Sequence, residues 1–323
     1  MEPRIDVVVF GQLARDLVLV VDAVPEAGGS GYVRERREML GGKGANQAVA
    51  LAQLGMSPAL VAVAGDDEMG TCLLAQAERD GINVSAVTRR RGADTALMVD
   101  IVDRDGRWRY LENIPSDVEL RESDVAAAAG LLTGVAWASV QLQQPPESAL
   151  AAVTAAREAG CGVLLDGTPA DGRLRDELLA AADVVRADER EAGLLARTDI
   201  ADADDAAKAA AEILARGPRL VALAVQDGNY FAWRDGELML PLAETPVADT
   251  TGAGDALAAA LITGLARGYD EEGAARLAVA AAGATVGHPG GRPWLTPKTL
   301  AAARLAAVSP RPRDGKRPPR WGR

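Results

Sequence analysis

The stretch DTTGAGDALAAALITGLARG, residues 249–268, sets Gly252, Ala253 and Gly254 directly before an acid, Asp255, and then runs into an alanine-rich helical pattern. The strand-like TPVAD just upstream makes this a strand-to-helix junction. The first turn of a helix leaves backbone N–H groups unpaired at the positive end of the dipole, so Gly252, Ala253 and Gly254 can form an anion cradle. Residues without bulk let the main chain approach a ligand closely. A carboxylate at Asp255 then stands within reach of whatever nucleophile attacks the bound group. The plainer reading is a tight turn followed by an ordinary helix-start acid, and this stretch alone leaves both open.

A second glycine-rich loop opening a helix lies upstream, GGKGANQAVALAQLG at residues 41–55. The Walker A pattern, GxxxxGK followed by Ser or Thr, finds no match. Neither loop completes GxGxxG: Leu257 takes the third position after Gly252 and Gly254, and Gln47 takes it after Gly42 and Gly44. A dinucleotide fold is disfavoured. Lys43 and Asn46 beside exposed backbone supply donors and an acceptor suited to a polyhydroxylated ligand, or else simply a solvated turn.

Around these loops, the β-rich runs IDVVVFG, PALVAVAG, TALMVDIVD, GVLLDG and RLVALAVQDG alternate with longer alanine-rich segments of helical period. That alternation predicts an α/β fold with a mostly parallel sheet sandwiched by helices. NQAVALAQLG, EMGTCLLAQAERDG and SALAAVTAAREAG each end at glycine, as helix C-caps do. Residues 12–40 and 94–114 break the rhythm with short extended pieces and a hairpin signal at Asp105-Gly106, which predicts a small second sheet beside the main one. The chain reads as one domain over residues 1–308, followed by a Pro- and Arg-rich tail at 309–323 without apolar periodicity, expected to be disordered.

Composition narrows the function classes. The formal charge is −11, from 35 Lys and Arg against 46 Asp and Glu, which repels phosphate backbones and anionic membranes. Nucleic acid and membrane are therefore not expected partners. No leader pattern and no long apolar run stand out, and Cys72 and Cys161 are too far apart to read as a redox or metal pair, so a cytoplasmic setting is expected. With His288 the one histidine, acid–base work falls to carboxylates or lysines.

Together GGKGANQA (41–48) and DTTGAGD (249–255) resemble the two signatures of the ribokinase-like (PfkB) family of carbohydrate kinases, and Gly65-Asp66-Asp67 with Gly70 matches a further family stretch. Within that family the N-terminal motif looks most like that of the ribokinases. The likeness runs from about Val8 to about Pro293. It implies an α/β sandwich with a β-sheet lid, often shared across a homodimer, and transfer of the ATP γ-phosphate to a sugar hydroxymethyl group with Mg²⁺. It casts Asp255 as base and Gly252, Ala253 and Gly254 as anion hole. Asp16, Gly42, Lys43, Asn46 and Gln143 fall at sugar-binding positions. Asp188 and Glu191 align with an N-x-x-E element linked to Mg²⁺ and phosphates. Gln226, Asp227 and Gly228 align with a nucleotide loop, and Val279 to Gly283 with a helix near adenine that as bare sequence is core. Asp249 and Thr251 match a monovalent-cation site, which implies K⁺.

The chain departs from the ribokinase pattern in places. Ala14-Arg15-Asp16 replaces N-x-D, Gln143 replaces a glutamate, Asp188 replaces an asparagine, and the nucleotide loop has fewer glycines. These changes leave room for a nucleoside kinase, for which Trp108 and Tyr110 could shelve a base, and for a sugar or nucleotide sensor without turnover.

Overall fold

A computed structural model describes residues 4–105, 107–169, 172–226, 228–242, 249–287 and 290–304. Gly106, Asp227, His288, most of TPVAD and the tail at 309–323 lie outside the described residues.

The chain opens with β1 (Val7–Phe10), β2 (Ala14–Val21) and β3 (Val33–Gly41), then α1 (Lys43–Gln53), β4 (Pro58–Val61), β5 (Val63–Gly65) and α2 (Glu68–Arg79). It continues through β6 (Thr88–Arg90), β7 (Leu97–Val102), β8 (Trp108–Asn113), α3 (Glu122–Ala128), β9 (Trp137–Gln141), α4 (Pro146–Glu158) and β10 (Gly162–Asp166). Next come α5 (Arg175–Ala180), β11 (Val184–Asp188), α6 (Glu189–Ala196), α7 (Ala203–Leu214) and β12 (Leu220–Val225). The last elements are β13 (Gly228–Trp233), β14 (Gly236–Pro241), α8 (Ala253–Ala266), α9 (Glu271–Thr285) and α10 (Pro297–Arg304).

The main sheet has eight strands in the order β14-β13-β12-β11-β10-β9-β1-β4. Its pairs from β12 to β4 are parallel, while β13 and β14 form an antiparallel edge. Strand side chains alternate between the faces, so β1 sends Val8 and Phe10 into one apolar cluster and Val7 and Val9 into the other. The first cluster lies under α3, α4, α6 and α7, and the second under α1, α8 and α9. A sheet buried on both faces explains why its strands read as continuous apolar runs. The glycines at the ends of α1, α2 and α4, Gly55, Gly81 and Gly160, all have positive φ, as C-cap termination requires.

A separate four-stranded sheet, β3-β2-β7-β8, is the small second sheet that the family resemblance casts as a lid. TALMVDIVD supplies β7 of this sheet, not a strand of the main one, because it pairs with β2 and β8. On the lid's inner face Asp16, Val18, Met98 and Asp100 are buried, while Leu17, Leu19, Val99 and Ile101 on the outer face are half-exposed and Leu111 is exposed. No described helix is long and apolar enough to cross a membrane.

Candidate active site

The C-terminal ends of the parallel strands converge on one crevice, the usual place for a ligand in an open α/β sheet. There β1 runs on into Gln12, β9 ends at Gln141 just before Gln143, β10 ends at Asp166, and β11 carries Arg186 and Asp188. The N-termini of α1 and α8 face them.

The start of α8 has the backbone that its sequence anticipates. Gly252 is left-handed at φ 75°, and a Cβ there would come within 1.8 Å of the Gly291 carbonyl oxygen, so only glycine fits. The first helical bond is Ala256 N–H to Gly252 O at 3.0 Å. The amides of Gly254 and Asp255 have no acceptor among the described residues, and Ala253 makes only a long 3.4 Å contact with Thr250 O. A Cβ on Gly254 would lie 2.5 Å from the Arg186 guanidinium, so the missing side chain lets Arg186 press against the helix start.

Asp255 is buried and held by two amides: Asn46 Nδ2 donates to Oδ2 at 3.1 Å and Gln47 Nε2 to Oδ1 at 3.4 Å. Burial, then the neighbouring Asp166 carboxylate, raises its pKa, while Lys43, the Asn46 bond and Arg186 oppose the rise. Gln47 also donates to Asp166 at 2.8 Å and accepts from Ser139 Oγ at 2.7 Å. Asp166 in turn accepts from Arg186 Nη1 at 3.0 Å.

Asp16 sits on the lid's inner face, beside Gly41, where a Cβ would overlap its carboxyl at 1.9 Å. Its Oδ1 is buried without a partner among the described residues, as is Asn46 Oδ1. Two orphaned buried acceptors in one place are costly unless a ligand's hydroxyls reach them. Burial, then Asp100, Asp255 and Asp249, pushes the Asp16 carboxyl up to about 8 against a Gly42 amide hydrogen bond. Asp100, opposite Val18 on β7, is pushed up to about 6 by burial and Asp249. Tyr110 pairs in register with Asp100 across β7 and β8 and so lies on the same inner face, and burial, followed by Asp16, raises its phenol. Gly42 has φ 86° and caps α1, with Lys43 following it. Lys43 Nζ lies 3.6 Å from Glu191 Oε1, and Gln143 Nε2 donates to the same oxygen at 3.3 Å.

Beyond the α8 start lies a cavity of about 260 Å³ lined by Arg186, Ala224, Asn229, Leu242, Ala253, Gly254, Val279 and Gly283, among others. Val279 and Gly283, nominated from the sequence, are therefore wall as well as core. Gln226 and Gly228 are not in this wall. Gly228 opens β13 opposite Val225, while the next pair in register, Ala224 and Asn229, faces the cavity, so the alternation along the hairpin gives the wall to Asn229.

Asp188 and Glu191 form a reciprocal capping box at the start of α6: Glu191 N–H donates to Asp188 Oδ1 at 2.8 Å and Asp188 N–H to Glu191 Oε2 at 2.9 Å. Glu191 is buried, not solvated, with Arg186 Nη1 3.9 Å away. Asp249 is buried and accepts the amides of Thr251 and Gly290, each at 2.9 Å. Among the described residues no cluster of three or more His, Cys, Asp or Glu is arranged to hold a metal by protein groups alone.

Gln47, Asp166, Arg186 and Asp100 are the site residues that sequence reading missed. Asp166 and Arg186 each carry charge near the end of a run of buried apolar residues, GVLLD and VVRAD. A charge at the C-terminal end of a parallel strand is the signal that could have found them.

A profile of the pfkB family carbohydrate kinases matches residues 4–298. This chain belongs to the pfkB family. As a pfkB kinase it is an ATP-dependent phosphotransferase acting on a sugar hydroxyl. The ribokinase of Mus musculus is 29% identical to it over 258 residues, 79% of this chain and 80% of the relative. The ATP-dependent ribose-1-phosphate kinase of Halopiger xanaduensis is 31% identical over 305 residues, 90% of this chain and 95% of the relative. The structure of Arabidopsis thaliana ribokinase complexed with ribose and ATP shares the fold, with a TM-score of 0.78 at 23% identity over 95% of this chain and 100% of that one.

Proposed function

We propose that this pfkB kinase moves the γ-phosphoryl group of ATP to the hydroxymethyl group of a small uncharged sugar, with ribose the lead candidate. One observation carries the reading. The buried Asp255 carboxyl shares its helical turn with the amides of Gly254 and Asp255, which are free among the described residues, and it stands between the orphaned acceptors of Asp16 and Asn46 and the cavity at Val279 and Gly283.

In this reading Asp255 takes the proton of the attacking hydroxyl. Burial makes it more basic than an ordinary carboxylate, which suits that task. The Gly252, Ala253 and Gly254 backbone stabilises charge on the phosphoryl oxygens. The acceptor oxygen bonds to the γ-phosphorus as the bond to the β-phosphate bridge oxygen breaks, and ADP departs. Asp16, Gly42, Lys43, Asn46 and Gln143 hold the sugar, and Val279 and Gly283 flank the adenine. Ribokinase-like kinases generally require Mg²⁺, which neutralises phosphate charge when bound. The donor set fits it, since Asp188 offers a hard carboxylate oxygen outside the capping box, and Glu191, whose oxygens are engaged by the Asp188 amide, Gln143 and Lys43, would act through water. Potassium activation belongs to the proposal as well: Asp249 and Thr251 adjoin the α8 start, and equal rates in sodium, potassium or neither would remove it.

The acceptor's charge follows from the lining. Asp16, Asp100, Asp249 and Asp255 are buried together while Lys43 is paired to Glu191, so the lining offers hydrogen-bonding groups for hydroxyls and not a basic pocket for a sugar already bearing phosphate. A nucleoside is the second reading, supported by Tyr110, which pairs with the buried Asp100 on the lid. ATP consumption measured over ribose, ribose 1-phosphate, hexoses and nucleosides, with Mg²⁺ and K⁺ present, decides among them. Ribose is expected to lead ribose 1-phosphate by at least ~10-fold in kcat/KM, the effect of about 1.4 kcal/mol. Binding across the panel without ATP consumption would instead make the protein a sensor.

The lid's outer face, Leu17, Leu19, Val99, Ile101 and Leu111, supports pairing of two copies through the lid, which sedimentation at varied concentration would test. We place lid and main sheet in one domain, and the enzyme in the cytoplasm where ATP is at hand.

A further inference from the structure

Arg186 lies at the seam between the two substrate sides, and nothing in the proton transfer or sugar binding above uses it. It pairs in register with Asp166 across β10 and β11, and its Nη1 donates to Asp166 Oδ1 at 3.0 Å. Its side chain is 10% exposed, and its Nε is buried without a partner among the described residues. It lines the 260 Å³ cavity together with Thr250, Ala253 and Gly254. The absence of a side chain at Gly254 is what lets the guanidinium reach the helix start, 2.5 Å from where a Cβ would stand.

A purely structural role, neutralising Asp166, uses one of the five guanidinium donors. That role leaves the orphaned Nε and the contact with Gly254 unexplained. A buried donor without a partner is a standing cost that an oxygen-rich ligand removes. The surroundings also call for a cation. Asp166, Asp188, Glu191 and Asp255 crowd the path of a triphosphate, and Lys43 is already engaged by Glu191. Burial works against the charge of Arg186, but Asp166, Glu191 and Asp255 outweigh it and hold the guanidinium protonated.

We propose that Arg186 is a catalytic residue whose guanidinium contacts the phosphoryl group in transit, opposite Asp255 and beside the Gly254 amide. It undergoes no covalent change: it forms hydrogen bonds to phosphoryl oxygens as charge redistributes between the acceptor oxygen and the departing ADP. A planar, always-charged fork suits such oxygens better than an ammonium does. The inference rests on the kinase reading given above.

The experiment compares wild type with Arg186→Ala and Arg186→Lys, measuring kcat, the KM for the acceptor, and thermal stability. Arg186→Lys keeps a cation beside Asp166 and guards against misfolding of the alanine variant. Expected are a fall in kcat of ~10²–10³-fold for Arg186→Ala and at least ~10-fold for Arg186→Lys, with the acceptor KM changed less than ~3-fold. Millimolar guanidinium chloride should restore part of the kcat of Arg186→Ala without affecting wild type. An Arg186→Lys enzyme with wild-type kcat would overturn the assignment and leave the kinase reading standing. So would an Arg186→Ala enzyme that is folded, slow and indifferent to guanidinium. Absence of wild-type turnover on every acceptor would remove both.

Discussion

The two sides of the crevice are built in opposite ways. On the acceptor side, buried polar groups crowd together: Asp16, Asn46, Gln47, Asp100 and Asp255, with two oxygens lacking partners among the described residues. On the nucleotide side, the cavity wall is largely Ala, Val, Leu and Gly, with Arg186 and Asn229 among its few strong donors. Selectivity resides on the acceptor side. Mispairing a buried polar group is costly, so the acceptor side discriminates by hydrogen bonds, whereas an apolar slot grips by shape and area and discriminates weakly.

That contrast can be broken first at the seam. Asp255→Asn should lower kcat by about 10²–10⁴-fold with little change in acceptor KM, because it removes the proton acceptor and keeps the shape. A fully active variant in a coupled ATP assay would end the assignment. Next, Asp16→Ala should raise the acceptor KM by roughly 10–100-fold and leave the KM for ATP unmoved, because it removes a buried hydrogen-bonding group and leaves the acceptor's hydroxyl unpaired. If both KM values rose together, the two sides would not be separate. The mirror test is Gly283→Leu, which fills the slot. It should raise the KM for ATP by about 10-fold and spare the acceptor, consistent with modest shape discrimination.

The smallest effect is on stability and reports the strain of the crowded side. The Asp16 carboxyl is raised to about 8 by burial and by Asp100, Asp255 and Asp249, so the folded protein binds a proton there that the unfolded chain gives up near pH 4. The stabilising contribution is full below the unfolded value and is lost as pH rises through about 8. Asp16→Asn cannot ionise. Its Tm relative to wild type should therefore climb by a few degrees between pH 4 and pH 8.5, and a pH-independent difference would show that Asp16 is not strained.

How much was legible follows the same divide. The glycine junctions could be read because each carries a local backbone demand, such as the positive φ of Gly42 and Gly252, and the polar residues beside them follow in sequence. That Asn229 and not Gly228 joins the cavity wall depends on the hairpin register, which strand pairing sets and the sequence alone does not display. Asp100 was passed over because one acid in an apolar strand does not say which face of the lid will be covered. The strands ending at Gln141 and Asp188 escaped notice because their polar ends mask short apolar runs.

The alternating α/β plan, the two glycine-rich helix starts and Asp255 beside the second of them follow from local properties of the chain: periodicity, φ preference and helix-end polarity. That Arg186 from one strand meets Gly254 from a helix, and that Asp16 and Asp100 are buried near Asp249 and Asp255, comes from long-range packing. Those meetings depend on which strands become neighbours and how closely the elements approach, and distances between residues far apart in the chain are fixed by packing.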